Sequence, residues 1–394
     1  MAPVAGGHLT PYDDDRGDRS LRRRTAVRGA ATALAAAIGV AGPGRRIVAS
    51  VVAGPLLTAG LLVGLIGPGT GLIGAPDPAG AATKPAPVPA APSAGCRAAT
   101  PAAPGETTIP LTVGSRQGFY VQQLPTSYDG RTPMPVVFDF HGYSEPASGQ
   151  VTLSALGTYG QSHGFITITP GVTEPVPLWE ATIGSADMTF VGGLFDTVEK
   201  TLCVDQHRLY STGYSNGAFL SSAIACQYAS RIAAVAPVAG IQNIAGCHPS
   251  RPVPVVAFHG TADPFVHFNG SPSQAAANLP APTGKKGTLG QSGNKGALKK
   301  APSIPDDTAA WAKRNGCASG PTSTKVASDV TLVRYHCPND ADVELYVVKG
   351  GGHAWPGSQV SEAIHSVVGR TTFSITADAV MWQFFAAHPL TAHD

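Results

Sequence analysis

Five residues, Gly213-Tyr214-Ser215-Asn216-Gly217, constrain this chain more than any other part of it. They stand between the strand-like run RLYST and the run AFLSSAIAC, so the backbone must pass from strand to helix within a single tight turn. Two glycines bracket the turn, leaving room where a larger side chain would meet neighbouring backbone. Ser215 then projects clear of the sheet at the start of a helix, where free backbone N–H groups favour developing negative charge. The pattern is only moderately specific by itself. Its position after a strand-like run gives it weight.

A serine at such a turn implies a sheet with helices packed on it. From about Thr107 the chain alternates short apolar runs with helical stretches, the sign of a mostly parallel sheet covered on both faces. Strands are expected at Ile109 to Val113, Phe119 to Gln123, Pro135 to Phe140, Phe165 to Thr169, Arg208 to Thr212, Ala234 to Val238, Val253 to Phe258 and Val343 to Val348, giving an eight-stranded sheet. Helices are expected at Met188 to Leu202, directly after Ser215, at Asp306 to Asn315 and at Ser374 to Ala387.

An alcohol is a weak nucleophile and needs a base, which in turn needs an orienting acid. His259-Gly260-Thr261-Ala262-Asp263 follows the run VPVVAF, and Gly350-Gly351-Gly352-His353 follows VELYVV. Asp263 and His353 therefore fall at the carboxyl ends of strands, on the rim that carries Ser215, in the order Ser, Asp, His. The twelve histidines offer rivals. His141 and His259 each end a strand before glycine and read as buried side chains bonded to neighbouring loops, whereas His267 reads as surface or cleft. His141-Gly142-Tyr143 follows PVVFDF, so the amide of Tyr143 can complete an oxyanion hole with that of Asn216. The Tyr143 side chain, Trp179 and Trp355 are candidate substrate-binding faces beside Ser215. A neutral histidine base predicts activity that rises with pH through the imidazole range, near ~6 to 7.

The first hundred residues are of another kind. Residues 1–46 are polar and then basic, with Arg16, Arg19, Arg22, Arg23, Arg24 and Arg28; residues 47–74 are hydrophobic; residues 75–104 form a Pro/Ala-rich linker expected not to pack. Ile47 to Ile66 carries no charge and as a helix would span about 30 Å of hydrocarbon. It reads either as an uncleaved signal anchor, which would make the membrane a partner, or as a signal sequence cut near Ala79-Gly80-Ala81. The catalytic domain is expected over 105–394, with a Gly, Lys and Ser-rich insertion at about 268–303 that reads as a mobile flap or disorder. All six cysteines follow the hydrophobic segment, which suggests disulfides and export. Cys317 and Cys337 flank two strand-like runs, Thr322 to Ala327 and Val330 to Tyr335, and are expected to pair. Cys96, Cys203, Cys226 and Cys247 allow three pairings, with none preferred. With 13% charged residues and a net charge of +2, no nucleic-acid partner is expected.

DFHGYSEPASG, CVDQHRLYSTGYSNGAFLSSAIAC, IAAVAPVAG, HGTADPFV and GGGHAWPG together resemble the esterase family that holds polyhydroxybutyrate depolymerases and feruloyl or acetylxylan esterases, over roughly Gly105 to His388. The resemblance implies an α/β-hydrolase fold, the triad Ser215, Asp263 and His353, no metal or other cofactor, and a small or oligomeric ester as substrate. Ala186 before Asp187 departs from it, since relatives often carry two acidic residues there. Two other readings stay open: a peptidase on the same fold, and a non-catalytic cell-wall binding module.

Overall fold

The computed structural model describes residues 88–282, 288–289 and 299–391, all of them within the compact unit Ala86–Asp394. The basic segment, the hydrophobic stretch Ile47 to Ile66 and the small-residue site at 79–81 lie outside the described residues. Among the described residues no helix is long and apolar enough to cross a membrane.

Ten strands form one sheet: β1 (Gly105–Val113), β2 (Arg116–Leu124), β3 (Met134–Phe140), β4 (Ile166–Val172), β5 (Val204–Tyr214), β6 (Ala234–Val238), β7 (Val255–Gly260), β8 (Thr322–Ala327), β9 (Val330–Tyr335) and β10 (Val343–Val348). Their spatial order is β1-β2-β4-β3-β5-β6-β7-β10-β9-β8. The centre, from β4 through β3, β5, β6 and β7 to β10, is parallel. Both flanks are antiparallel. The expected eight-stranded, mostly parallel sheet is thus corrected to a mixed sheet of ten. The two extra strands are the runs between Cys317 and Cys337, which pair as a hairpin and extend the edge through β9 against β10.

Alternation along the central strands explains how one sheet serves two cores. Val136, Phe138 and Phe140 of β3 and Val255 and Ala257 of β7 face one core. Val137 of β3 and Val256 and Phe258 of β7 face the other. This is the period of two that a sheet buried on both faces requires. Nine helices occur among the described residues: α1 (Ala147–Ser154), α2 (Leu156–His163), α3 (Ala186–Thr201), α4 (Asn216–Gln227), α5 (Gln274–Ala277), α6 (Ile304–Arg314), α7 (Gln359–Ala363), α8 (His365–Val368) and α9 (Ala377–Ala387). Phe190, Leu194 and Phe195 of α3 and Trp311 of α6 fill the first core, while Met381, Phe384 and Phe385 of α9 fill the second.

The Pro/Ala-rich stretch does not behave as a free linker from residue 91 onward. Ala91 donates to Asp205 Oδ1 at 2.9 Å, Ser93 is buried with its hydroxyl on Leu202 O at 2.7 Å, and Cys96 is joined to Cys203. Gly95 lies so close to Leu202 that a Cβ there would stand 2.1 Å from its carbonyl oxygen. Hydrogen bonds to the start of β5 and a covalent bridge outweigh the composition of this segment. Cys226 pairs with Cys247 and Cys317 with Cys337. The described part of the insertion is also anchored. Ala301 N donates to Gly270 O at 2.9 Å and Ile304 N to Phe268 O at 3.0 Å, pinning its two ends together.

Candidate active site

All the loops that matter leave the sheet at the carboxyl ends of its parallel strands. β3 runs into His141, Gly142 and Tyr143; β5 into Ser215; β7 into the Asp263 loop; β10 into His353. Ser215 has φ 54° and ψ −112°, a sharp departure from both the strand before it and the helix after it. A Cβ at Gly217 would stand 2.1 Å from Phe140 O, and one at Gly213 would stand 2.5 Å from Gly217 C. Only glycine at both positions lets α4 lie this close to β3, and that approach fixes Ser215 at the crest of the turn.

Asp263 and His353 are brought together, with His353 Nδ1 2.7 Å from Asp263 Oδ2 and both side chains buried. Nδ1–H donates to the carboxylate, which leaves Nε2 as the basic nitrogen. Asp263 Oδ1 accepts from the amides of Phe265 and Val266 at 2.8 and 2.9 Å. Burial by itself would raise the Asp263 carboxyl, but His353 and His259 beside it outweigh burial and hold it below the usual carboxylate range. Tyr214, one residue before Ser215, packs its ring 4.9 Å from the His353 imidazole and donates its hydroxyl to His353 O. Burial pushes that phenol far up, so it remains a donor.

His259 and His141 are buried, as expected. His259 Nε2 bonds Val266 O at 2.8 Å and also lies 3.2 Å from Asp263 Oδ2, a contact that sequence spacing did not reveal. His141 Nδ1 bonds Gly142 O at 2.8 Å, and burial lowers its pKa to about 4, which keeps the ring neutral. His267 lines a cavity of about 380 Å³ beside Asp263, together with Phe268, Asn269 and Ser271.

Tyr143 and Ser144 occupy the middle of a turn closed by Glu145 N on Gly142 O at 3.3 Å, with Ser144 at φ 60°. Ser144 N donates to Pro177 O at 2.7 Å. The amides of Tyr143 and Asn216 have no acceptor among the described residues, the condition for donors held ready for an oxyanion. The Tyr143 side chain is half-buried and its hydroxyl donates to Pro280 O at 2.7 Å, tying it to the insertion.

Trp179 and Trp355 correct the expectation that they offer flat faces to a ligand. Both are buried, at 2% and 1% exposure. Trp179 sends its indole N–H to His141 O at 3.1 Å, and Trp355 sends its own to Asp378 Oδ1 at 2.9 Å. Each indole satisfies its donor inside the protein, as a buried tryptophan must, and no face is left over. Among the described residues no cluster of three or more His, Cys, Asp or Glu side chains could hold a metal ion.

A strained serine on a strand-to-helix turn, an Asp-His pair on later loops of the same rim, and a sheet whose parallel centre is covered on both faces define an α/β-hydrolase-fold protein. No family model matches the chain. Curated proteins that it resembles include feruloyl esterases, a bifunctional acetylxylan esterase/xylanase and a putative esterase of Nocardia uniformis. The chain is 28% identical over 244 residues to feruloyl esterase B of Piromyces equi, spanning 59% of this chain and 42% of the relative. It is 28% identical over 186 residues to feruloyl esterase D of Neurospora crassa, spanning 44% and 62%. It therefore spans less than two thirds of the length of these relatives. Among solved structures, an acetyl xylan esterase from Aspergillus awamori aligns with a TM-score of 0.48 at 13% identity, covering 71% of this chain and 99% of that one.

Proposed function

We propose that the chain is an extracytoplasmic serine esterase. The observation that carries this reading is the coincidence of Ser215 in a strained turn with the 2.7 Å Asp263–His353 pair on the same rim. Ser215 Oγ attacks the ester carbonyl while His353 Nε2 takes its proton. The carbonyl oxygen becomes an oxyanion that accepts from the amides of Tyr143 and Asn216. Imidazolium stabilised by Asp263 then returns the proton to the departing alcohol. Water, deprotonated by the same imidazole, attacks the acyl-enzyme; collapse of the second tetrahedral species frees the acid and restores Ser215.

The names of the relatives favour feruloyl or acetyl esters of plant polysaccharide; sequence motifs alone support hydroxybutyrate oligomers. Three disulfides suit an oxidising compartment and support a site outside the cytoplasm. Turnover of p-nitrophenyl butyrate by wild type, lost in Ser215→Ala, is the expected result. Equal turnover by that variant would refute the mechanism. Comparing kcat/KM for methyl ferulate, acetylated xylo-oligosaccharide and 3-hydroxybutyrate oligomers then tests the substrate class. Failure on all three with p-nitrophenyl butyrate still cleaved would leave the chemistry standing and remove the substrate assignment.

A further inference from the structure

Oxyanion stabilisation needs two amides from separate segments, one after β3 and one at the start of α4, to point at one spot. The backbones of these segments touch, since a Cβ at Gly217 would fall 2.1 Å from Phe140 O and 2.7 Å from His141 O. Contact of that kind fixes separation but not direction. Directional bonds come from a third segment, the loop between β4 and α3, and they converge on one residue.

Trp179 Nε1 donates to the carbonyl of His141, two residues before Tyr143, at 3.1 Å. Its backbone N–H donates to Asn216 Oδ1 at 2.7 Å, and its carbonyl accepts from Asn216 Nδ2 at 2.9 Å. The indole lies 4.7 Å from the His141 ring and edge-on to Phe140 at 5.6 Å. The loop is anchored from behind as well. Glu180 N donates to Asp187 Oδ2 at 2.6 Å, and Asp187 pairs with Arg116 of β2 at 2.6 Å.

We propose that Trp179 is a positioning residue which, through His141 O and the Asn216 side chain, holds the Tyr143 and Asn216 amides in register for the oxyanion. This rests on the serine-esterase reading above. The two-point clamp on Asn216 fixes the first turn of α4, and hence the direction of the Asn216 amide. The indole bond fixes the carbonyl that leads into the Tyr143 turn. A brace of this type acts on the tetrahedral species and not on the bound ester, so its loss should appear in kcat and leave KM nearly alone.

Two variants test it. Trp179→Phe keeps an aromatic ring and deletes the donor to His141 O. Asn216→Ala keeps its own amide, deletes both bonds to the Trp179 backbone, and changes a half-buried side chain that folding tolerates more easily. Removing an oxyanion donor outright costs about 10²- to 10³-fold in kcat, so misaligning one is expected to cost about tenfold in each variant. KM for p-nitrophenyl butyrate should stay within about twofold, and affinity for an alkylboronic acid, which forms a tetrahedral adduct on Ser215, should fall in parallel with kcat. The double variant should be little worse than the weaker single one, because both cut one linkage. Folded variants with wild-type kcat and boronate affinity would overturn the proposal, as would a loss confined to KM. If Trp179→Phe does not fold, Asn216→Ala decides alone by the same readings. Wild type that cleaves no ester, or Ser215→Ala that still does, would instead overturn the serine-esterase reading and this inference with it.

Discussion

Ser215, Asp263 and His353 were legible because each follows an apolar run closely with a glycine within three residues, and position at a strand end together with chain order ranked His353 above the other histidines. Trp179 was not legible as a brace. Whether an indole faces solvent or a neighbouring loop depends on what folds against it, and no local pattern near 179 announces Asn216 or His141 as its partners. The same holds for His259, whose contact with Asp263 comes from the turn 259–263 closing on itself. Two predictions belong here. Gly217→Ala would place a methyl 2.1 Å from Phe140 O, so α4 must shift and carry Ser215 and Asn216 with it. We expect kcat/KM to fall by about 10²-fold or more, because misplacing reacting groups by about 1 Å costs that much. Wild-type kinetics in the purified variant would contradict the steric argument. Asp263→Asn presents an amide where His353 Nδ1–H needs an acceptor and favours the wrong imidazole tautomer, with an expected loss in kcat of roughly 10³- to 10⁴-fold. A loss under tenfold would mean that another group orients His353.

Strands were read from sequence more faithfully than helices, and the reason lies in their burial. β6 carries a continuous apolar run and β10 one broken only by Glu344, and both fall where the pattern placed them. α1, with the sequence ASGQVTLS, has polar and β-branched residues on every side, and Ala155 at φ 53° breaks it from α2. It carries no apolar stripe to detect. In the segment ahead of β1 composition misleads for the opposite reason. Composition pointed to an unpacked linker, but Cys96 and Ser93 bring it onto Cys203 and Leu202. Cys96–Cys203 closes a sequence separation of 107 residues, and in the chain-entropy model a loop of that order stabilises the fold by about 4 to 5 kcal/mol. Replacing both cysteines by alanine is expected to lower the thermal midpoint clearly while p-nitrophenyl butyrate turnover at 25 °C persists, since the bridge lies at the amino-terminal end of β5, the end opposite the Ser215 rim. An unchanged midpoint would show that hydrogen bonds from Ala91 and Ser93 suffice to hold the segment.

The molecule as a whole keeps several carboxyl groups inside, and this gives its stability a pH dependence opposite to that of a chain held by ion pairs. Burial raises Asp139 to about 8, Asp378 to about 7, Glu145 to about 7 and Asp307 to about 6. Asp139 is fully buried at the end of β3, with Gln150 Nε2 and Ser154 Oγ each 2.6 Å from its oxygens. Below the ordinary value of 3.8 the folded and unfolded chains both hold this proton. Between 3.8 and about 8 the unfolded chain releases it and the folded chain keeps it, so stability declines as pH rises through that window. Asp263 runs the other way: held below the usual range, it stabilises above 3.8 and that contribution fades only as the solution becomes strongly acidic. His141, lowered to about 4, and Asp129, lowered to about 2, also lose stability toward acid, so the raised carboxyls act unopposed by these only on the alkaline side, and the thermal midpoint should fall from about pH 6.5 toward pH 8. Asp139→Asn isolates the largest contributor, because an amide can accept from Gln150 and donate to Ser154 without a charge to bury. Its midpoint should change less with pH than that of wild type, and the gap between the two proteins should move in favour of the variant by the equivalent of a few kcal/mol, roughly, between pH 5 and pH 8. Parallel curves over that range would mean that Asp139 ionises in the folded protein at the same pH as in the unfolded chain, and that Gln150 and Ser154 solvate its charge as well as water does.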